Sequence, residues 1–288
     1  MRIPKTVDIE NVRGLCNSRC PMCSLDRVQG KKIMTLEEGK RIIDALAPYA
    51  DRIENLQFVG IGEPSLDDSL VEKVAYARQR GFANIGVVTN AGGELARYEK
   101  ILRGGPDFLL MSIDSIHADQ YQAIRKNLDY QCTLGNILRI IALRDESKLP
   151  TKLFVRAIIG EENQEVWPEY AAFWSGKLDL AGGDLILHFP QHNWADAEAP
   201  IEKTEPCVYP FEHMTVTAHG DLQFCCIDFN ADFFPIGNVL ETDPMELYNG
   251  PVFARARELM SQGRINELDA CRFCNVPLKR SKRGMYTP

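Results

Sequence analysis

No run in this chain approaches eighteen apolar residues, so no segment reads as a transmembrane helix. Residues 1–8 lack the apolar h-region of a secretory signal, which points to a cytoplasmic protein. An excess of positive charge is also missing. Lys and Arg number 33 against 40 Asp and Glu, and the net charge of −7 argues against a general nucleic-acid-binding surface. The one basic run, at 279–283, reads as a solvated tail. There is no low-complexity segment and no fixed internal repeat beyond strand–helix alternation. What remains is ordinary globular composition, 288 residues with 45% hydrophobic and 25% charged side chains. That suffices for a sizeable core in one large or two smaller domains.

Cysteine is present in quantity and unevenly placed. Nine cysteines without a secretory signal read as metal ligands rather than disulfides, in a reducing and oxygen-poor setting. Cys16, Cys20 and Cys23 share one short loop with the spacing C-x3-C-x2-C. They offer three thiolates and no fourth. A 4Fe–4S cluster takes one thiolate per iron when fully ligated. Three ligands leave one iron open, and an open position marks a reactive centre. The competing reading is a zinc site with a distant fourth ligand, although zinc motifs usually pair two such knuckles. The second set is Cys207, Cys225, Cys226, Cys271 and Cys274, spaced C-x17-C and then C-x2-C, with none after Cys274. Four of these five suit a fully ligated second 4Fe–4S cluster; structural zinc is also compatible. Cys225 and Cys226 are adjacent on a predicted strand, so their side chains point to opposite faces and only one reaches a cluster. Cys132 opens an apolar-periodic helix and reads as core.

Strand-like runs at 7–12, 56–60, 85–90, 108–114, 153–159 and 185–189 alternate with helical patterns. Thr35 with Glu38 is a capping box opening a helix to about residue 49. A helix over 70–80 ends at Gly81, and another covers 132–144. The fold class is therefore α/β, built of parallel βαβ units. Right-handed crossovers curl six such strands into a partial, TIM-like (β/α)6 barrel. Active residues then lie at the C-terminal strand ends, as the first cysteine loop does. Residues 192–206 read as a linker between a barrel at 1–191 and a small unit at 207–288. That unit consists of a hairpin, 214–218 and 222–227, turning at His219-Gly220, then one helix at 244–262. It has too little apolar sequence for a large core, so a metal staple is expected.

Polar residues mark the strand ends. Gly60-Ile61-Gly62-Glu63-Pro64 follows the second strand, where glycines admit a ligand to the backbone and Glu63 is placed to face an ammonium. Thr89 and Asn90 end the third strand, Ser112 and Asp114 the fourth, and Arg156 lies on the fifth. Arg156 suits a bidentate carboxylate contact. His188 and His192, with Asn193, Trp194 and Asp196, cluster at the sixth strand. Either imidazole is a candidate general base, since it titrates near neutrality.

The C-x3-C-x2-C loop and the Gly-Ile-Gly-Glu-Pro strand end together resemble the radical S-adenosylmethionine superfamily. The second cysteine set, with the Gly220-Asp221 turn, the 236–239 segment and the 253–257 helix, resembles its SPASM/twitch-type auxiliary domain. Within the family, length and C-terminal cysteine spacing are similar to the 2-deoxy-scyllo-inosamine dehydrogenases. The resemblance implies two 4Fe–4S clusters and S-adenosylmethionine as cofactors. Cys16, Cys20 and Cys23 would hold the first cluster; Cys207, Cys225, Cys271 and Cys274 would hold the second. It implies S-adenosylmethionine contacts from Met22, Gly60, Gly62, Glu63, Pro64, Asn90, Ser112, Asp114 and Arg156. A 5′-deoxyadenosyl radical would take hydrogen from a hydroxyl-bearing carbon of a sugar or aminocyclitol. A nearby base would take the hydroxyl proton and the electron would pass to the auxiliary cluster, leaving a ketone. The partners implied are that small polar substrate and an external reductant such as flavodoxin or ferredoxin. The first strand begins within ten residues of the start, which leaves no room for a leader-binding domain. The alternatives are an epimerase using the Cys226 thiol as hydrogen donor, a peptide-modifying enzyme, or a non-enzymatic iron–sulfur or zinc protein.

Overall fold

The computed structural model describes residues 1–203, 205–277 and 284–285; the basic run at 279–283 lies outside them. The strands are β1 (Thr6–Ile9), β2 (Val12–Arg13), β3 (Lys32–Ile33), β4 (Asn55–Phe58), β5 (Ile85–Thr89), β6 (Phe108–Ser112), β7 (Lys152–Ile159), β8 (Leu185–Pro190), β9 (His213–Val216), β10 (Leu222–Gln223) and β11 (Gly284–Met285). The helices are α1 (Leu36–Leu46), α2 (Leu70–Gln79), α3 (Leu95–Arg103), α4 (Ala118–Ile124), α5 (Tyr130–Glu146), α6 (Trp167–Ser175), α7 (Tyr209–Glu212), α8 (Pro244–Tyr248), α9 (Pro251–Ser261) and α10 (Asp269–Phe273). No helix among the described residues is long and apolar enough to cross a membrane.

Strands β1, β4, β5, β6, β7 and β8 pair in parallel in that order. They are the six strands expected, in an α/β sheet that matches a partial TIM-like barrel. Alternation divides their side chains between two environments. Val7, Ile9, Leu56, Phe58, Val87 and Leu109 join the helices in the main core. Val88, Phe108 and Leu110 form a separate apolar cluster with Val59, Phe154 and Leu187. Phe108 and Phe154 stack there with centroids 5.1 Å apart. The Thr35–Glu38 capping box is present, and α1 buries Ile42, Ile43 and Leu46 against the sheet.

Four local expectations are corrected. The run at 7–12 is two strands. Glu10 and Asn11 are buried polar residues whose bonds lead elsewhere, so β1 stops at Ile9 and Val12–Arg13 pairs with Lys32–Ile33. The helix at 244–262 is α8 and α9, parted at Gly250-Pro251, because proline has no N–H to continue a helix and suits a first turn. Cys132 is exposed rather than core, since the buried face of α5 runs through Thr133, Asn136, Ile137, Ile140 and Ile141. The C-terminal hairpin also continues the barrel sheet: β9 pairs in parallel with β1, and β10 antiparallel with β9. At the other edge β11 pairs with β8. The stretch read as a linker is strapped to α10. Asn193 Nδ2 donates to Phe273 O at 2.8 Å and Ile201 N to Arg272 O at 2.8 Å.

Candidate functional site

A cavity of about 430 Å³ opens at the C-terminal ends of the barrel strands, and Cys16, Cys20 and Cys23 line it. The cysteine loop is held by its neighbours through the backbone. Gly14 N donates to Ile61 O at 2.7 Å, and Glu63 N to Leu15 O at 2.9 Å. Arg19 N and Ser18 Oγ both donate to Lys126 O at 2.9 Å. The close approach explains the two glycines. A Cβ on Gly62 would lie 2.3 Å from Val12 O, and one on Gly60 would lie 2.3 Å from Glu10 Cγ. Burial pushes the Cys16 thiol up to about 11, with Glu63 and the neighbouring thiols adding to it. Burial raises Cys23 as well.

Glu63 lines the cavity, and its carboxylate is braced by its neighbours. Oε1 accepts from Thr89 Oγ1 at 2.5 Å and Ser65 N at 3.1 Å, and Oε2 from Asn90 N at 2.9 Å. Its carboxyl is raised by burial and ties the 60–64 loop to the end of β5. Asn90 reaches the cysteine loop, donating to Asn17 Oδ1 at 2.7 Å and lying 3.6 Å from Cys16 Sγ.

Asp114 does not line the cavity. It is fully consumed by Arg125 Nε and by Ile158 N at 2.7 Å. The residue it presents is Arg125, which lines the cavity and whose Nη1 lies 3.8 Å from Cys20 Sγ. Sequence reading missed Arg125 because it follows a short helix rather than a strand. Arg156 and Ser112 do line the cavity, and Arg156 Nη2 donates to Ser112 Oγ at 2.8 Å. Burial and the nearby Arg125 charge lower the Arg156 guanidinium to about 10. Its Nε is buried without a partner, and among the described residues no carboxylate pairs with it. An enclosed cation in that state suits an incoming anionic group.

His188 is corrected as well. It faces away from the cavity, its ring 4.5 Å from Trp167 and its backbone paired with Gly284. Alternation along β8 sends Phe189 inward instead. His192 lines the cavity, its ring edge-on to Trp194 at 4.5 Å. Trp194 Nε1 donates to Met22 O at 2.8 Å, so the post-β8 segment is pinned to the cysteine loop. Met22, Gly60, Gly62 and Pro64 all border the cavity. So do Asp8, Gln57, Thr215 and Gln223, which the sequence did not single out.

The second cysteine set divides between two cavities, although Cys225 and Cys226 lie in the turn after β10, which ends at Gln223, and not on the strand expected over 222–227. Cys207, Cys225, Cys271 and Cys274 line one small apolar cavity, whereas Cys226 lines the large one. Burial and mutual repulsion push Cys225 and Cys271 far up, and Cys274 to about 11. Lys203, lowered by burial, feels three of these thiols and supplies a cation beside them. Among the described residues no three His, Cys, Asp or Glu side chains are set to hold a single metal ion. Both donor sets suit a multi-iron group: three thiols on the large cavity, and four on the small apolar one.

Residues 11–172 match the radical SAM superfamily, and residues 207–275 match the SPASM iron–sulfur cluster-binding domain. The chain is 31% identical over 162 residues to GTP 3′,8-cyclase of Alkaliphilus oremlandii, covering 54% of this chain and 48% of that protein. It thus spans about half the length of the curated relatives it matches. Its fold is similar to BtrN in complex with AdoMet and 2-DOIA, with TM-score 0.65 at 17% identity, covering 96% and 94% of the two chains. It is also similar to Streptococcus suis SuiB bound to S-adenosylmethionine, with TM-score 0.69 at 13% identity, covering 89% and 68%. The superfamily match spans more than half of the chain and the two domains imply S-adenosylmethionine and 4Fe–4S clusters, so this protein belongs to the radical SAM superfamily and carries a SPASM-type C-terminal domain.

Proposed function

We propose that the protein is a radical S-adenosylmethionine oxidoreductase that converts an alcohol of a small polar molecule, of sugar or aminocyclitol type, to a ketone. The observation that carries this reading is that Cys225 lines the small cavity with Cys207, Cys271 and Cys274, while Cys226 lines the large one. It leaves Cys207, Cys225, Cys271 and Cys274 together, one thiol for each iron of an auxiliary cluster. A cluster so closed has no open iron for substrate and suits electron acceptance. When bound, the cofactors supply one-electron cleavage of S-adenosylmethionine, a hydrogen-abstracting radical and an electron acceptor.

The chain's own residues do the rest. Cys16, Cys20 and Cys23 hold the first cluster at the cavity wall. Gly60 and Gly62 let the 60–64 loop pack against Glu10 and Val12 at the cavity wall, and Glu63 fixes that loop against β5. Arg125, oriented by Asp114, places a positive charge beside Cys20. Ser112 holds Arg156 toward a carboxylate, and Asn90 braces the cysteine loop. Met22 and Trp194 close the rim. An external reductant such as flavodoxin or ferredoxin completes the reaction. The likeness to BtrN over nearly the whole of both chains supports the small substrate.

Incubation of the reconstituted, reduced enzyme with S-adenosylmethionine and a carbon-deuterated polyol tests the proposal. Equal yields of ketone and deuterated 5′-deoxyadenosine are expected. Product with inverted configuration and no ketone would refute it. That second outcome is the epimerase reading, which the placement of Cys226 on the large cavity favours. Cys226→Ala would then abolish inversion, whereas it spares ketone formation under the first reading.

A further inference from the structure

Strand register sets four polar side chains in one row across the sheet. Asp8 on β1 is paired with Gln57 on β4 and with Thr215 on β9, and Thr215 is paired with Gln223 on β10. All four line the large cavity. Their neighbours along β1, Val7 and Ile9, face the helices, so the row belongs to the inner face. At its centre is an enclosed carboxylate. Asp8 Oδ1 accepts from Gln57 Nε2 at 2.6 Å, and nothing else among the described residues donates to this carboxyl. Glu10, the next inward acid, is occupied by Arg13 at 2.8 Å and Ile61 N at 2.7 Å. Asp8 is therefore the one acid of this wall with an oxygen left for a ligand.

We infer that Gln57, Asp8, Thr215 and Gln223 form a specificity subsite for a protonated amine on a polyhydroxylated ligand. The inference rests on reading the cavity as the reaction chamber and names which end of the substrate lies where. An enclosed carboxylate with one neutral partner is best completed by a cation. Gln57 and Gln223 each spend an amide N–H, on Asp8 and on Phe229 O, and their oxygens with the Thr215 hydroxyl are left to meet ligand hydroxyls. Arg156 on β7 lines the same cavity and repels an ammonium, so the ligand is oriented with its amine toward β1.

Burial raises Asp8 to about 6, so it ionises just below neutrality and ammonium binding strengthens through that range. The other titratable groups lining this cavity are Glu10, held by Arg13; His213 on β9 and Tyr209, whose rings lie 4.6 Å apart; Cys226; Arg156; and, toward the first cysteine loop, Glu63, Arg125, His192 and the three thiols.

Calorimetric titration tests the subsite on the full reconstituted chain holding S-adenosylmethionine, without reductant. The probes are matched pairs, glucosamine against glucose and scyllo-inosamine against scyllo-inositol. At least one amine is expected to bind about tenfold or more tighter than its hydroxyl partner at pH 7.5. The preference should vanish at pH 5 and in Asp8→Asn. Gln57→Ala should weaken amine and polyol alike. Iron content of each variant separates a lost subsite from a damaged cluster, and turnover plays no part in the readout. Equal affinity within every pair, binding of no probe to the native chain, or a preference that survives Asp8→Asn would each overturn the inference.

Discussion

The two cysteine sets solve opposite problems. Cys16, Cys20 and Cys23 come from one loop, face a large cavity and number three. Cys207, Cys225, Cys271 and Cys274 come from distant positions, share a small apolar cavity and number four. The first set is positioned by backbone bonds to the 60–64 loop and to Lys126, which leave its thiols facing open space. The second is assembled by tertiary packing, with Ile227, Cys274 and Val276 in one buried cluster. Local spacing thus sets three thiols on the large cavity, and long-range packing sets four on the small one. The difference fits the division between bond-breaking and electron storage proposed above.

The sharpest way to break the comparison is at the loop. Cys20→Ala should abolish 5′-deoxyadenosine formation, by more than about 10³-fold, because the chemistry resides in the cofactor that the loop holds. Cys271→Ala should act differently. Reductive cleavage of S-adenosylmethionine should continue while ketone falls to background, and chromatographic quantification of both products checks the split. Loss of cleavage in Cys271→Ala would erase the functional distinction between the two sets.

Arg125 tests how the first set is electrostatically framed. Arg125→Met strands Asp114, whose other contact is a single backbone N–H. Removing one member of a buried pair costs about 3–5 kcal/mol. Chemical denaturation should show that loss, and cleavage should require more S-adenosylmethionine. Arg125→Lys should recover part of the stability.

Asp8 sharpens the contrast between substrate wall and scaffold. Its folded pKa of about 6 lies above the ordinary 3.8. Ionisation is therefore harder in the folded chain. The stability contribution is whole below pH 3.8 and is lost as pH rises through about 6. Asp8→Asn should accordingly stabilise the protein at pH 8, by at most about 3 kcal/mol, and be neutral at pH 4. Urea midpoints at the two pH values test this. A variant that gains stability while losing ligand would mark a site kept for binding rather than folding.

Legibility followed sequence distance. The C-x3-C-x2-C loop was readable because its geometry is local; the glycines at 60 and 62 were singled out for a ligand, whereas the atoms they approach belong to Glu10 and Val12, which only the fold brings near. The expected strand over 222–227 ends at Gln223, so the division of Cys225 and Cys226 between two cavities is made by the turn that follows β10 and not by strand alternation. The polar row was not readable, because it depends on β9 joining β1, a pairing between residues more than 200 apart in the chain. Arg125 was hidden for a related reason: its importance comes from Asp114, and only the fold brings that acid beneath it. His188 was misplaced because alternation along β8 was not followed through to which face it leaves exposed to the cavity.

Iron and sulfide per chain after anaerobic reconstitution, measured for the native protein and for Cys16/Cys20/Cys23→Ala together, test the central claim most directly. Two clusters on two independent cysteine sets predict about eight irons falling to about four. A variant that lost all its iron and retained one zinc would contradict the account, because the C-terminal set would then be a structural staple with no electron to accept.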